Sequence, residues 1–244
     1  MKLGIIADIH SNAPALAAVL ADLARHKVDL VVQLGDAFNG PIAPAEVMAL
    51  LRARPMLHVK GNGERMVLAE DPAERSASAT YARSVLSEAD LAWVAAWPAR
   101  HDQPEFTACH GSPRSDLEYL LEEVTSRGVF LRSGADIAAR LEETVSPLVL
   151  CGHTHLPRVV RLLSGTLVVN PGSVGLPAYA DVPPFPHRME TGSPHARYAV
   201  TEVIAGEWAV SLCAVAYDWE AAAKLAEARG FPDWVVPLRT GYVR

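Results

Sequence analysis

Seven side chains in this sequence share one chemistry: Asp8, His10, Asp36, Asn62, His110, His153 and His155 are oxygen or nitrogen donors of the kind that hold divalent cations. They come in separated short groups, Asp8-Ile9-His10, Gly35-Asp36, Gly61-Asn62-Gly63, His110-Gly111 and Gly152-His153-Thr154-His155. No thiolate is among them. That set suits borderline ions such as Mn²⁺, Fe²⁺, Co²⁺, Ni²⁺ or Zn²⁺ better than Ca²⁺ or Cu⁺. So many donors exceed what one ion usually takes from a protein, whereas two ions sharing a bridging carboxylate would use them all. Two divalent ions would make the site locally positive inside a chain of formal charge −6. Such a site attracts an anionic ester and activates water at neutral pH.

Each group follows a short apolar run. Strands are expected over 3–7, 29–34, 56–60, 106–109 and 148–151, each stopping at or just before a donor. Between them, Ser11 or Asn12 caps a helix with Pro14 in its first turn and Leu16, Val19, Leu20 and Leu23 on one face. Further helices are expected over 45–51, 78–86, 87–97, within a charged helical insertion at 112–146, and over 221–229. Hairpins are expected at 158–163 with 167–170 and at 198–204 with 208–216, separated by a proline-rich loop over 177–196. Strand–helix units followed by antiparallel strands make an α/β protein, read as one domain over 1–244. In open α/β sheets the loops at the carboxyl ends of strands converge, so the donors are expected to meet.

Taken singly, each group has a plainer reading. An Asp after a strand caps a helix or forms an Asx-turn, and Asn62 between glycines is a left-handed turn residue. His110 alone could be a satisfied core histidine. The repetition at five strand ends is what argues for a metal site.

Composition narrows the rest. Half the residues are apolar and a fifth charged, which is globular composition. The acidic balance excludes general nucleic-acid binding. Three scattered cysteines exclude a disulfide scaffold and fit a reduced, cytoplasmic compartment, with Cys109 and Cys151 read as small buried hydrophobes. No membrane span is expected: Asp8 cuts the first apolar run, and glycines and prolines break the uncharged stretch 162–180. The tryptophans at 93, 97, 208, 219 and 234 are expected in the core. Asn12 and Arg114 are candidates for substrate contact, Asn12 against helix capping and Arg114 against a solvated loop arginine.

In these motifs the chain resembles the calcineurin-like metallophosphoesterases, most of all their small bacterial and archaeal phosphodiesterases. Asn170-Pro171-Gly172-Ser173-Val174 is similar to the family's loop after the last donors. The resemblance implies a two-sheet αββα sandwich. It implies that Asp8, His10 and His155 hold a first ion and Asn62, His110 and His153 a second, with Asp36 bridging. It implies hydrolysis of a small-molecule or nucleotide-like phosphate ester by in-line attack of metal-activated water, Mn²⁺ being the favoured ion, with Asp36 and Asn62 at the reacting centre. Alternatives within the same resemblance are a serine/threonine protein phosphatase, a dinucleoside-polyphosphate hydrolase, or a non-catalytic protein-binding scaffold. The last would be marked by lost donors, and all are present. One departure stands out. Many relatives carry His after the Asn, whereas here the run is Gly61-Asn62-Gly63-Glu64. Gly63 cannot protonate a leaving alkoxide, a loss of about 10²–10⁴-fold where the leaving group is poor. Phosphodiesters, or esters with good leaving groups, are therefore expected to be preferred over ordinary monoesters. Glu64 is read as a first-turn helix acid.

Overall fold

The computed structural model describes residues 1–141, 144 and 146–244. The chain opens with β1 (Lys2–Ile6), α1 (Ala13–His26), β2 (Leu30–Gln33), α2 (Pro44–Arg52), β3 (Leu57–His58) and α3 (Asn62–Leu68). It continues through α4 (Ala77–Val85), α5 (Glu88–Ala95), β4 (Arg100–Asp102), β5 (Thr107–Cys109), β6 (Glu122–Thr125), β7 (Gly128–Leu131), α6 (Gly134–Leu141) and β8 (Leu148–Leu150). It closes with β9 (Arg158–Arg161), β10 (Leu167–Asn170), β11 (Ala178–Asp181), β12 (His187–Glu190), β13 (Ala196–Ile204), β14 (Glu207–Val215), α7 (Trp219–Ala228) and α8 (Val235–Thr240).

Two five-stranded sheets carry the fold, in the orders β14-β13-β1-β2-β3 and β4-β5-β8-β10-β9. The middle strands run parallel within each sheet, β1 with β2 and β3, and β5 with β8 and β10. Antiparallel strands flank them: β13 pairs β1, β14 pairs β13, β4 pairs β5 and β9 pairs β10. Alternation along these strands sets the layers, because successive side chains point to opposite faces. Leu3, Ile5, Val32, Ala108, Leu148, Leu150, Leu167 and Val169 meet between the sheets. On the outer face of the first sheet, Ile6 packs with Leu16, Val19 and Leu20 of α1 and with residues of α2, α4, α5, α7 and α8. On the outer face of the second, Cys109, Val149, Cys151 and Val168 pack under Ile137 and Leu141 of α6. The result is an α/β sandwich of two sheets between helical layers, and both buried cysteines sit in it as small hydrophobes. No helix among the described residues is long and apolar enough to cross a membrane.

Two expectations need correction, and a third holds in part. The stretch 112–146 is not helical throughout. It holds the hairpin β6–β7, whose Val124, Thr125, Val129 and Phe130 are strand formers and whose turn closes at Gly128 with φ +129°. Only α6, capped by the Ser133 hydroxyl on the Asp136 amide, is helix there; residues 142, 143 and 145 lie outside the described residues. The proline-rich stretch 177–196 is likewise not a plain loop. Pro183, Pro184 and Pro186 fall in the turn between β11 and β12 and Pro177 and Pro194 just outside, so no proline occupies a ladder position. Of the tryptophans Trp97 is buried in the core, Trp93 and Trp234 are half-buried against the same cluster and Trp208 against the core between the sheets, and Trp219 is half-buried; Trp234 also stands against His10.

Candidate metal centre

The seven donors stand one to four residues past the ends of β1, β2, β3, β5 and β8 or, for His10 and His155, two residues further. Parallel strand direction brings these ends to one rim. Asp8, His10 and His155 gather as one group and Asp8, Asp36 and His110 as a second, all donor atoms within 4.8 Å of one another in each. Asp8 belongs to both. Asp36 also spans them, with Oδ2 4.0 Å from His10 Nε2 and Oδ1 3.4 Å from His110 Nε2. Asn62 Oδ1 lies 3.0 Å from His110 Nε2. The His153 ring packs 4.9 Å from that of His110, and its amide donates to Asp8 Oδ2. The imidazole of His153 thus borders the two tight groups without entering either.

The backbone here is unusual. Asp8, His10, Asp36, His153 and His155 all have left-handed φ, between 47° and 70°. Such a conformation costs a non-glycine residue of order 1 kcal/mol or more and persists only where surrounding structure holds it. Several contacts do the holding. Ser173 Oγ donates to the Asp8 carbonyl, and Asn170 Nδ2 donates to the Gly152 carbonyl and Thr154 Oγ1. Gly40 and Gly175 let neighbouring loops close onto the His10 and Ile9 carbonyls, where any Cβ would collide.

Hydrogen bonding decides what these histidines offer. His10 Nδ1 faces the Asn39 carbonyl at 2.7 Å, His155 Nδ1 the Leu176 carbonyl at 2.6 Å and His110 Nδ1 the Leu34 carbonyl at 2.8 Å. A carbonyl accepts only, so each Nδ1 carries the proton; the neutral rings of His10 and His155 then present a lone pair at Nε2, while His110 Nε2 faces the Asn62 and Asp36 oxygens. His10 Nε2 and His155 Nε2 then point at each other 3.0 Å apart. Beside them, the buried Asp8 Oδ1 accepts no hydrogen bond, with His155 Nε2 3.5 Å away. Lone pairs converging on an unpartnered buried carboxylate oxygen are unfavourable unless a cation sits among them. The donor set therefore fits a divalent metal.

Electrostatics points the same way. Burial alone would raise Asp8, but His155, His110 and His10 around it outweigh that and hold its pKa at about 2. Burial, then His155, lowers His10; burial, then His110, brings His153 down to about 4. His110 is the exception: burial opposes its charge, yet Asp36 and Asp8 raise it. At neutral pH the rim carries an ionised Asp8 beside His10 and His153 held neutral, which is the protonation state a metal requires of those ligands.

The other sequence candidates fall differently. Asn12 is fully buried, its Oδ1 accepts the Ala15 amide, and its Nδ2 donates to the Gly175 carbonyl and Tyr217 hydroxyl, as the capping reading expects. Arg114 borders a cleft of about 600 Å³ beside Gly61 and His110, with its guanidinium on Glu118 at 2.6 and 2.9 Å. Glu64 is indeed in the first turn of α3, but completely buried: its carboxylate accepts the amides of Asp36, Ala37, Phe38 and Gly61. Three aromatic neighbours gave no signal in the sequence. Tyr119 packs 5.0 Å from the His153 ring, Tyr179 4.6 Å from that of His155, and Trp234 6.0 Å from that of His10. They come from segments distant in sequence with no motif of their own; the hairpin β11–β12, in the proline-rich stretch, is what brings Tyr179 over the rim.

The chain is similar to known proteins. A family model described as the calcineurin-like phosphoesterase superfamily domain matches residues 1–186. An uncharacterised protein of Methanocaldococcus jannaschii, MJ0912, is 25% identical over 200 residues, covering 72% of this chain and 76% of that protein. Among solved structures, a metallophosphoesterase from Sphaerobacter thermophilus is 28% identical, with a TM-score of 0.77 over 99% of both chains. The hypothetical protein PH1004 from Pyrococcus horikoshii is 18% identical with the same TM-score of 0.77, over 100% of this chain and 99% of that one, a likeness of fold alone. Strand-end donors, two packed sheets and a match across the first three quarters of the sequence agree: the chain belongs to the calcineurin-like phosphoesterase superfamily.

Proposed function

We propose that this protein is a cytoplasmic phosphodiesterase that works with two divalent ions, Mn²⁺ favoured, on a small-molecule or nucleotide-like phosphate ester. The observation that carries the reading is the 3.0 Å approach of His10 Nε2 to His155 Nε2 with both Nδ1 atoms turned to carbonyls, beside the unpartnered Asp8 Oδ1. Asp8, His10 and His155 would hold one ion; Asn62, His110 and His153 would hold the other; Asp36 faces both groups. When bound, the ions supply Lewis acidity that activates water and neutralises charge on the phosphoryl oxygens.

The chain's own residues supply orientation. Backbone carbonyls of Asn39, Leu176 and Leu34 keep three imidazoles in the Nδ1–H tautomer and aim their Nε2 atoms at the rim. The Gly63 amide donates to Asp36 Oδ1 at 2.6 Å and fixes that carboxylate between the groups. Position 63 has no side chain to hand a proton to a departing alkoxide, and Glu64 is occupied by four amides, so substrates whose leaving group needs no acid are favoured. Arg114, on the cleft rim, would add charge beside the phosphate by exchanging Glu118 for it.

Elemental analysis of the purified protein, with bis(p-nitrophenyl) phosphate and alkyl phosphate monoesters assayed before chelation, after it and after Mn²⁺ is returned, tests this. Tightly held metal, chelator-sensitive diester hydrolysis and its loss in Asp36→Asn are expected. Hydrolysis indifferent to chelation, activity retained in Asp36→Asn, or alkyl monoesters turned over as fast as the diester would overturn it.

A further inference from the structure

Two clefts flank the donor set, and they differ in chemistry. The one beside Gly61 and His110 is lined by charged groups held in ion pairs, Arg65 with Asp116 and Arg114 with Glu118. The other, of about 650 Å³, lies beside the His10 and His155 half and is walled by Trp234, Tyr179, Leu176 and Val236. None of the donors lines it, but three of its lining residues touch them. Trp234 meets the His10 ring edge-on at 6.0 Å, Tyr179 meets the His155 ring edge-on at 4.6 Å, and the Leu176 carbonyl accepts His155 Nδ1.

Trp234 and Tyr179 are only half-buried, so both rings keep open surface toward this cleft. Open tryptophan and tyrosine surface beside a phosphate-binding rim is costly to leave wet and well suited to a flat apolar group. Two acids, Glu227 and Asp233, and two arginines, Arg239 and Arg244, stand in the same lining, Arg239 ion-paired with Glu220. Trp234 and Val236 belong to a C-terminal segment outside residues 1–186, so this wall is added to the part of the chain that the family model matches.

We infer that this cleft seats an aromatic ring, a nucleobase or an aryl group, carried on the phosphate ester, with Trp234 as its stacking surface. The inference rests on the phosphoesterase reading and narrows its substrate class. Stacking of a base on an aromatic side chain gives roughly tenfold in affinity.

The test uses Mn²⁺-loaded protein and pairs of phosphates that differ in the ring. Adenosine 5′-monophosphate is compared with ribose 5-phosphate, and phenyl phosphate with methyl phosphate, as inhibitors of bis(p-nitrophenyl) phosphate hydrolysis and as quenchers of tryptophan fluorescence. The ringed member should bind about tenfold tighter in at least one pair. A preference in the first pair alone assigns a nucleobase; a preference in both assigns any aromatic ring. Trp234→Ala should erase the preference, Trp234→Phe should keep most of it, and Val236→Asp, which charges the lining without touching Trp234, should weaken it. Equal binding of ringed and ringless phosphates, or a preference that survives both Trp234→Ala and Val236→Asp, overturns the inference. Absence of Mn²⁺-dependent hydrolysis overturns the phosphoesterase reading instead, and the fluorescence comparison, which needs no turnover, still decides the ring preference.

Discussion

Glu64 and Asp36 clasp each other across the start of α3. Glu64 accepts the amides of Asp36 at 2.7 Å, Ala37 at 2.7 Å, Gly61 at 2.9 Å and Phe38 at 3.3 Å, while Asp36 Oδ1 accepts the amide of Gly63 at 2.6 Å. Burial, then the charge of Asp36, pushes the Glu64 pKa up to about 7, against the pull of the amides. The clasp is how a helix start and a strand end, far apart in sequence, hold one carboxylate at the rim.

Glu64→Gln should therefore be costly despite equal size. One carboxylate oxygen becomes an NH₂ group facing backbone N–H groups, which leaves buried donors unsatisfied. A loss of about 2–4 kcal/mol is expected, or roughly 5–15 °C in Tm for a chain of this length, together with a large fall in hydrolysis. Thermal unfolding by circular dichroism and kcat measured on the folded fraction check this. A Tm within a degree or two of wild type would refute the clasp.

Restoring a side chain at position 63 should harm the site. A Cβ there would lie 2.7 Å from Asp36 Oδ1 and 2.8 Å from Asn39 Cβ. Gly63→Ala and Gly63→His should both displace Asp36 and lower diester kcat at least tenfold, with no gain on alkyl monoesters. A Gly63→His variant that gains monoesterase activity would show that the loop yields and the histidine finds room.

His58 gives the fold a pH slope. Its ring stacks on Trp97 at 4.5 Å and 8°, and its buried Nδ1 has no partner. Burial, then His101, lowers its pKa from 6.5 to about 4. Below its unfolded pKa the unfolded chain takes up a proton that the folded state refuses. Stability should therefore fall as pH drops from 6.5 to 4, by up to about 1.4 kcal/mol per unit, and this contribution is flat above 6.5. Urea unfolding at pH 7 and pH 5 measures the slope. His58→Phe should keep the stacking and remove this part of the slope; an unchanged slope would assign it elsewhere.

Metal should stabilise the folded state, since the donors converge only there. Mn²⁺ at a hundred times its Kd should add about 2.7 kcal/mol, or roughly 5–10 °C in Tm. Asp8, shared by both donor groups, should be the most sensitive position, so Asp8→Asn should abolish the shift. Differential scanning calorimetry with and without Mn²⁺ decides it; a wild-type Tm blind to the ion would count against the site.

The donors were legible because their signal is local: an apolar run followed by Asp, Asn or His at each strand end. The first helix was legible for the same reason, its cap, proline and apolar face all lying within 11–23. Asn12 shows the limit, since the same residue type caps helices and contacts substrates, and only the burial of its amide separates the two. Glu64 shows another. A first-turn acid looks the same in sequence whether it faces water or braces the loop that presents Asp36.

Residue types and spacing alone determined the alternation of strands and helices, the two-sided burial of the central strands and the presence of a metal-type donor set, because these follow from periods of two or three to four residues and from punctuation by glycine. Tertiary structure alone decided that Asp8 is common to both donor groups, that five of the donors sit at left-handed φ, and that Trp234 and Tyr179 wall one side of the rim. Those outcomes depend on contacts between segments from about 24 to more than 200 residues apart, where packing of whole layers outweighs any local preference.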